Sequence, residues 1–290
     1  MKYLSPKKGL QGFFGARLAH WVDSPFWFRL FVAGVAACGV AYGLNWTLAE
    51  VRSYNVWGLT YGALAAILMA GTGFLGVRRR MNRMALRLGL GRAQPWLQFH
   101  IYGGTLAAVL MFMHTGFKIP HGVLTWWLWV LTIVTTASGL LGVFLQKWIP
   151  KILSSGLAIE VLYERIPELI VELREKANAV FQTCTVPVKE FYRKEVALAL
   201  ARPQPRFIYY LDITGGIHTR VKQFDYLRSL LPADEKEKLD QLQNFYKTKL
   251  EIDAHYTLQR TLRWWLFLHV PLSLVVLVLL GIHLLSVWYY

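Results

Sequence analysis

Cysteine is nearly absent from this 290-residue chain, which contains only Cys38 and Cys184. These two residues are far apart, and no CxxC pair is present. The sequence therefore has no ligand set for an iron–sulfur cluster or a zinc knuckle, and no CxxCH motif for covalent haem attachment. Motifs of nucleotide-binding enzymes are also missing from the long non-membrane segment, residues 149–262, where neither GxGxxG nor a P-loop lysine occurs.

Acidic residues are the second shortage, and they are confined to one part of the chain. Of the 17 Asp and Glu residues, 15 lie within 151–263, where 18 of the 32 Lys and Arg residues also lie. The net charge of +15 therefore comes mainly from residues 1–17 and from six arginines in 78–92. Basic residues clustered beside apolar runs are typical of membrane proteins. We therefore expect lipid, and no nucleic acid, as a partner.

Apolar residues make up 55% of the chain and are concentrated in runs of about 20 residues, the length that crosses a bilayer. The sequence predicts an all-α integral membrane protein with five transmembrane helices, at 27–48, 57–77, 97–117, 124–147 and 264–288. Four segments follow from this prediction: an interfacial N-terminal segment (1–26), helices one to four (27–148), an insert (149–262) and helix five (263–290).

The positive-inside rule orients these spans. The N-terminus and the 78–95 loop carry most of the basic excess, so both are expected in the cytoplasm. With five spans, the insert is then cytoplasmic and the C-terminus lies outside. Spans three and five run in the same direction, from the cytoplasm outward.

The insert is predicted to be mainly helical. Residues 157–181 have apolar residues at helical spacing, with an interruption near Pro167. FIYYLDI at 207–213 is rich in residues that favour strands, and ITGGIHTR at 213–220 is typical of a turn. From Asp234, a possible N-cap, helical periodicity continues into the last span. The insert is interpreted as a docking surface or as a cap on a cofactor.

Four histidines lie inside two of the apolar runs: His100 and His114 in the third span, and His269 and His283 in the fifth. Each pair is 14 residues apart, which on an α-helix is about 21 Å and returns to nearly the same face. Polar side chains inside a bilayer are costly and usually functional. In parallel spans, His100 is level with His269 near the cytoplasm, and His114 is level with His283 near the outer face. Each pair could clamp one haem b iron; the alternatives are a proton relay and coincidence.

The remaining histidines have simpler interpretations. His20 is predicted to be interfacial, His121 to lie in a solvated outer loop, and His255 to be exposed on the insert. His218 belongs to the predicted turn. Several glycines beside the paired histidines could make room for a porphyrin or could simply pack helices: Gly103, Gly104, Gly116, Gly139, Gly142 and Gly281. Arg92 and Lys118 lie near the two histidine levels and could pair with haem propionates.

Three segments together resemble the bacterial di-haem b-type cytochromes of the ferric-reductase-like and cytochrome b561-like kind. They are HIYGGTLAAVLMFMHTG (100–116), LTIVTTASGLLGVFLQKWIP (131–150) and LRWWLFLHVPLSLVVLVLLGIHLLSVWYY (262–290). The resemblance covers roughly 96–150 and 260–290. It implies two haems b held by His100, His114, His269 and His283, and a bacterial cytoplasmic membrane as the location. The spacing is also similar to that of respiratory cytochrome b, whose PEWY motif this chain lacks.

The expected function is that of the electron-transfer subunit of an oxidoreductase complex, with no catalytic residue of its own. Its partners would be a cytoplasmic flavin or iron–sulfur protein and an outer c-type cytochrome or similar protein. A quinone could replace either partner, so the first alternative is a quinol-oxidising or quinone-reducing membrane anchor. The second alternative is a haem-free scaffold or transporter. Proton-coupled transport is disfavoured because the spans contain essentially no Asp or Glu.

Overall fold

The structure is a computed structural model that describes residues 25–48, 50–81, 89, 91–157 and 161–289. His20 and the predicted interfacial segment lie outside the described residues, apart from the two residues with which the first helix begins. Within the described ranges the regular secondary structure is helical, without strands, as an all-α fold requires.

Ten α-helices are found in the described residues. In chain order they are α1 (Pro25–Leu48), α2 (Val56–Arg80), α3 (Ala93–His114), α4 (Val123–Gly156), α5 (Ile166–Gln182), α6 (Val186–Phe191), α7 (Ala197–Leu200), α8 (Ile213–Val221), α9 (Gln223–Leu230) and α10 (Ala233–Tyr289). The helices α1, α2, α3, α4 and α10 are long and apolar enough to cross a membrane. The prediction of five such helices is confirmed, and they are consistent with a multi-pass membrane protein.

Helix α3 ends three residues earlier than predicted, directly after His114. Gly116 has φ +62°, and its N–H donates to the Met113 carbonyl, while the Phe117 N–H donates to the Phe112 carbonyl. These two bonds form a Schellman motif, which stops an α-helix at a left-handed residue. A Cβ at Gly116 would also lie 2.7 Å from the Val51 carbonyl oxygen. The glycine therefore terminates the helix.

The chain divides into two compact units, one formed by Met1–Val143 with Phe267–Tyr290 and the other by Phe144–Leu266. In the first unit, α3 packs most extensively against α2 and then against α1. Its buried cluster contains Tyr61, Leu110 and Met113. The buried amide of Asn45 donates to the hydroxyl of Tyr61 (2.7 Å), so two polar side chains satisfy each other in apolar surroundings. Most other large apolar side chains of this unit are exposed, as lipid-facing residues would be.

The second unit has its own core, built around the first half of α10. Tyr209, Phe224, Leu242 and Tyr246 are almost completely buried there. Within that half of α10, the side chain of Lys249 donates to both carboxylate oxygens of Asp253 (2.8 and 2.7 Å), and neither side chain is exposed.

Local predictions for the insert are partly wrong. Residues 207–210 form a 3-10 helix instead of a strand, and its Tyr209 is buried in the helical core of the second unit. The predicted turn at 213–220 is helix α8, capped by the Asp212 carboxylate, which accepts from the Gly215 N–H (2.8 Å). Pro167 begins α5 instead of interrupting it. The prediction of one helix continuing into the last span is confirmed, since α10 has 57 residues, although Asp234 lies in its first turn.

Candidate functional site

The structure brings His100 of α3 and His269 of α10 together. Their imidazole centroids are 6.2 Å apart, and the ring planes are inclined by 80°. His269 is buried, with 8% of its surface exposed. Both residues belong to the first unit. We call these two residues the inner pair.

The outer pair consists of His114 and His283, whose centroids are 6.5 Å apart with an interplanar angle of 70°. His114 is the last residue of α3, so the Schellman motif that follows it also fixes the height of this imidazole. The partners of both pairs are those expected from parallel spans. Whether the pairs ligate iron stays a prediction.

Both histidines of α3 are oriented by backbone carbonyls of α2. His100 Nδ1 lies 3.0 Å from the Thr72 carbonyl oxygen, and His114 Nδ1 lies 2.8 Å from the Gly58 carbonyl oxygen. A carbonyl oxygen only accepts, so each Nδ1 must carry the hydrogen. With Nδ1 protonated, Nε2 is the nitrogen left to bind a metal, as in the neutral form in which histidine ligates metals. The two carbonyls are themselves 14 residues apart, matching the spacing of the histidines.

His269 is oriented from the neighbouring helix α4. Its Nδ1 lies 2.6 Å from the hydroxyl oxygen of Ser138. A hydroxyl can accept a hydrogen bond from Nδ1–H, and this again leaves Nε2 for a ligand. Next to this contact, a Cβ at Gly139 would lie 3.4 Å from His269 Cε1, within ordinary van der Waals distance. Ser138 was not singled out by the sequence, because serine is common in membrane helices.

Glycine makes room for an imidazole at one position that the sequence did not indicate. A Cβ at Gly62 would lie 2.7 Å from His114 Nδ1, closer than side chains pack. By contrast, a Cβ at Gly281 would meet nothing within 4 Å, so its proximity to His283 in sequence carries no packing requirement.

The two pairs fit axial ligation of a haem iron. A ligand nitrogen lies about 2 Å from its metal and the ring centre about 1 Å further, so two imidazoles on opposite sides of one iron have centroids about 6 Å apart. The observed separations, 6.2 and 6.5 Å, match this geometry. Direct edge-to-face packing of two rings occurs at similar distances, so the distance supports ligation without requiring it.

Each pair offers two nitrogen donors. Among the described residues, no three His, Cys, Asp or Glu side chains form a metal-binding group. Two imidazoles are too few for a structural zinc site but are the axial set of a haem whose other ligands come from the porphyrin.

Two buried polar atoms on α4 have no hydrogen-bond partner among the described residues: Trp129 Nε1 and Thr135 Oγ1. Thr135 lies one turn before Ser138, and the Trp129 ring contacts Phe112 of α3 edge-on with centroids 5.8 Å apart. An unpaired buried donor is costly in apolar surroundings.

The other candidates have different surroundings. The ammonium of Lys118 pairs with the Glu50 carboxylate, which Arg52 also contacts, so Lys118 already has a partner on the protein. His121 is exposed, as predicted, and His218 is exposed on α8. The prediction for His255 is wrong: only 3% of its surface is exposed, because α10 continues through the core of the second unit. Arg92 occupies the N-cap of α3.

Comparison of the chain with protein-family models, with curated proteins and with solved structures found no match in any of the three.

Proposed function

We propose that this chain is a di-haem b cytochrome that carries electrons across a membrane. The single observation behind the proposal is that two imidazole pairs, each at the centroid separation of two axial ligands, lie one above the other along the same two helices. His100 and His269 would hold one haem, and His114 and His283 the other. Bound haem b supplies one-electron redox chemistry.

The protein's contribution is to fix the ligands and their protonation. The carbonyls of Thr72 and Gly58 hold the α3 imidazoles in the tautomer with hydrogen on Nδ1, and the hydroxyl of Ser138 supports the same tautomer on His269. Hydrogen bonds of this kind raise the basicity of a ligating imidazole and fix the orientation of its ring. The two pairs lie about 21 Å apart along α3, so the sites are in series across the bilayer.

The cofactor content of the purified protein tests this proposal. We expect two haems b per chain, released by acid acetone because no cysteine tethers them, and a reduced-minus-oxidised spectrum of low-spin bis-histidine type. A haem-to-protein ratio near zero would contradict the proposal and favour the haem-free scaffold.

We also propose a topology and partners. The protein would lie in a bacterial cytoplasmic membrane, with the 78–95 loop and the 149–262 insert in the cytoplasm and the C-terminus outside. A cytoplasmic flavin or iron–sulfur protein and an outer c-type cytochrome would exchange electrons with it, and a quinone is the alternative for either. Reporter fusions check the topology, and rapid haem reduction by added menaquinol would favour the quinone.

A further inference from the structure

Among the strongly exposed large apolar side chains of the second unit, three belong to segments that contact residues 253–263 of α10. Phe207 is 75% exposed, Leu211 74% and Leu162 66%. Scattered exposed apolar residues need no explanation by themselves, but large exposed apolar surfaces mark sites of protein or membrane interaction. We name these three residues the apolar collar.

Phe207 and Leu211 belong to a segment, residues 204–211, that runs alongside α10 and contacts it at successive helical turns. Its successive contacts are Gln204 N–H with Asp253 Oδ1 (2.9 Å), Arg206 N–H with Thr257 Oγ1 (3.3 Å), and Tyr210 hydroxyl with Thr261 Oγ1 (2.6 Å). The two helical turns between the first and last contact correspond to about 12 Å. Phe207 and Leu211 are therefore level with the stretch of α10 that surrounds Thr261.

Leu162 reaches the same level from a separate segment. The carbonyl of its neighbour Val161 accepts a hydrogen bond from Gln259 Nε2 (2.7 Å). On its other side, the Tyr163 ring lies 4.0 Å from the guanidinium carbon of Arg263. Leu162 is thus held beside residues 259–263 of α10. Two unconnected segments therefore expose apolar side chains at one height.

That height is next to the start of the apolar run of α10. Thr261 precedes Trp264 by three residues, about 4.5 Å along the axis. Trp264 and Trp265 begin the apolar run, and tryptophan is enriched at the boundary between lipid and water. The short distance along α10 from Thr261 to the first tryptophan therefore indicates that the apolar collar lies at the level of the bilayer surface.

We propose that the apolar collar is a membrane-surface anchor whose ligand is phospholipid. Phe207, Leu211 and Leu162 insert into the boundary between headgroups and acyl chains, where apolar side chains are buried to a depth of about 5–10 Å. Arg206 lies at the same level, and its charge suits lipid phosphates. Contact of these three side chains with the membrane would hold the position of α10 where the helix leaves the bilayer. The proposal does not depend on haem binding.

The second unit offers an internal control. Tyr226 on α9 is 76% exposed, as much as Phe207. Its neighbour Arg228 pairs with Asp240 of α10 at 2.9 Å. Asp240 is 24 residues before Trp264, about 36 Å along the helix. Tyr226 is equally accessible but far from the bilayer.

Lipid photolabelling of the native chain tests the proposal. The purified protein is reconstituted in phospholipid vesicles that contain a lipid with a diazirine close to the headgroup. After illumination and trypsin digestion, mass spectrometry compares two peptides, FIYYLDITGGIHTR (207–220) and QFDYLR (223–228). The first carries two residues of the apolar collar, and the second carries Tyr226.

We expect peptide 207–220 to be labelled several-fold more than peptide 223–228. A double variant, Phe207→Ser with Leu211→Ser, should lose most of that label, while Tyr226→Ser leaves it unchanged. Equal labelling of the two native peptides would overturn the proposal. It would also be overturned if peptide 207–220 stayed unlabelled, including the case in which chemical cross-linking shows that a second copy of the chain covers it.

Discussion

The imidazole of His114 contacts α2 at a position where only glycine fits, because a Cβ at residue 62 would lie 2.7 Å from His114 Nδ1. The same ring is hydrogen-bonded to the Gly58 carbonyl, one turn earlier on α2. Close packing and orientation of His114 therefore depend on the same helix face. Overpacking such a site typically costs about 1–3 kcal/mol.

We accordingly predict that Gly62→Ala displaces His114 and weakens or abolishes the outer haem. The inner haem, on His100 and His269, should be retained. Gly76→Ala on the same helix is the matched control, since a Cβ there would meet nothing within 4 Å. Haem content and redox titration distinguish the outcomes. Equal haem loss in the two variants would show that the Gly62 contact is not specific.

The two imidazole pairs predict how single substitutions group. His100→Ala and His269→Ala should each remove, or convert to high spin, the same haem, because losing one axial imidazole leaves a five-coordinate iron. His114→Ala and His283→Ala should do so to the other haem. All four should block transmembrane electron flow, since the two sites are in series.

His121→Ala is the control for this series, because His121 is exposed in a loop. It should keep both haems. Potentiometric titration with optical detection identifies which haem each variant loses. A different grouping, such as matching losses in His100→Ala and His283→Ala, would refute the assigned ligand pairs.

Ser138 is a positioning residue, and its substitution should act on one site only. In Ser138→Ala, Nδ1 of His269 loses the hydroxyl 2.6 Å away. A less basic imidazole stabilises ferric iron less well, so we expect the midpoint potential of the inner haem to rise while both haems remain bound. Ser286→Ala, whose hydroxyl bonds only the Ile282 carbonyl in the described structure, should leave both potentials unchanged. An unchanged inner potential in Ser138→Ala would argue against this role.

Acid should destabilise the second unit through Glu235 near the start of α10. Its carboxylate accepts from the Lys238 ammonium, and from the N–H and hydroxyl of Thr185. These bonds hold the pKa of Glu235 below its ordinary value, with Lys238 the largest cause. A carboxyl with a lowered folded pKa contributes stability above its unfolded pKa and loses it as the pH falls through the folded value.

We therefore predict that the unfolding temperature of the second unit falls as the pH is lowered below about 4.5, the ordinary pKa of Glu235. Glu235→Gln should weaken that pH dependence and lower stability at neutral pH. Glu168→Gln provides the control, because Glu168 is exposed on α5. Thermal unfolding followed by near-ultraviolet circular dichroism at several pH values measures both effects. An identical pH dependence in the Glu235→Gln variant and the native chain would contradict this assignment.

The sequence by itself determined the five apolar helices, the continuity of α10 and the pairing of the histidines. Hydrophobic length and a 14-residue spacing depend on helix geometry alone, which is the same in every protein. The strand-favouring run predicted at 207–213 and the exposure predicted for His255 were wrong. The conformation of a short β-prone run and the burial of a polar helical residue depend on the core that surrounds them.

Only the tertiary structure decided which groups orient the imidazoles. The carbonyls of Thr72 and Gly58 leave no signature in sequence, since every residue has a carbonyl and only the packing of α2 against α3 selects two of them. Gly62 is likewise distinguished from Gly76 by a neighbour 52 residues away in the chain, His114. Periodicity fixes where a side chain lies on its own helix, while hydrogen bonding and close packing depend on the helix that it meets.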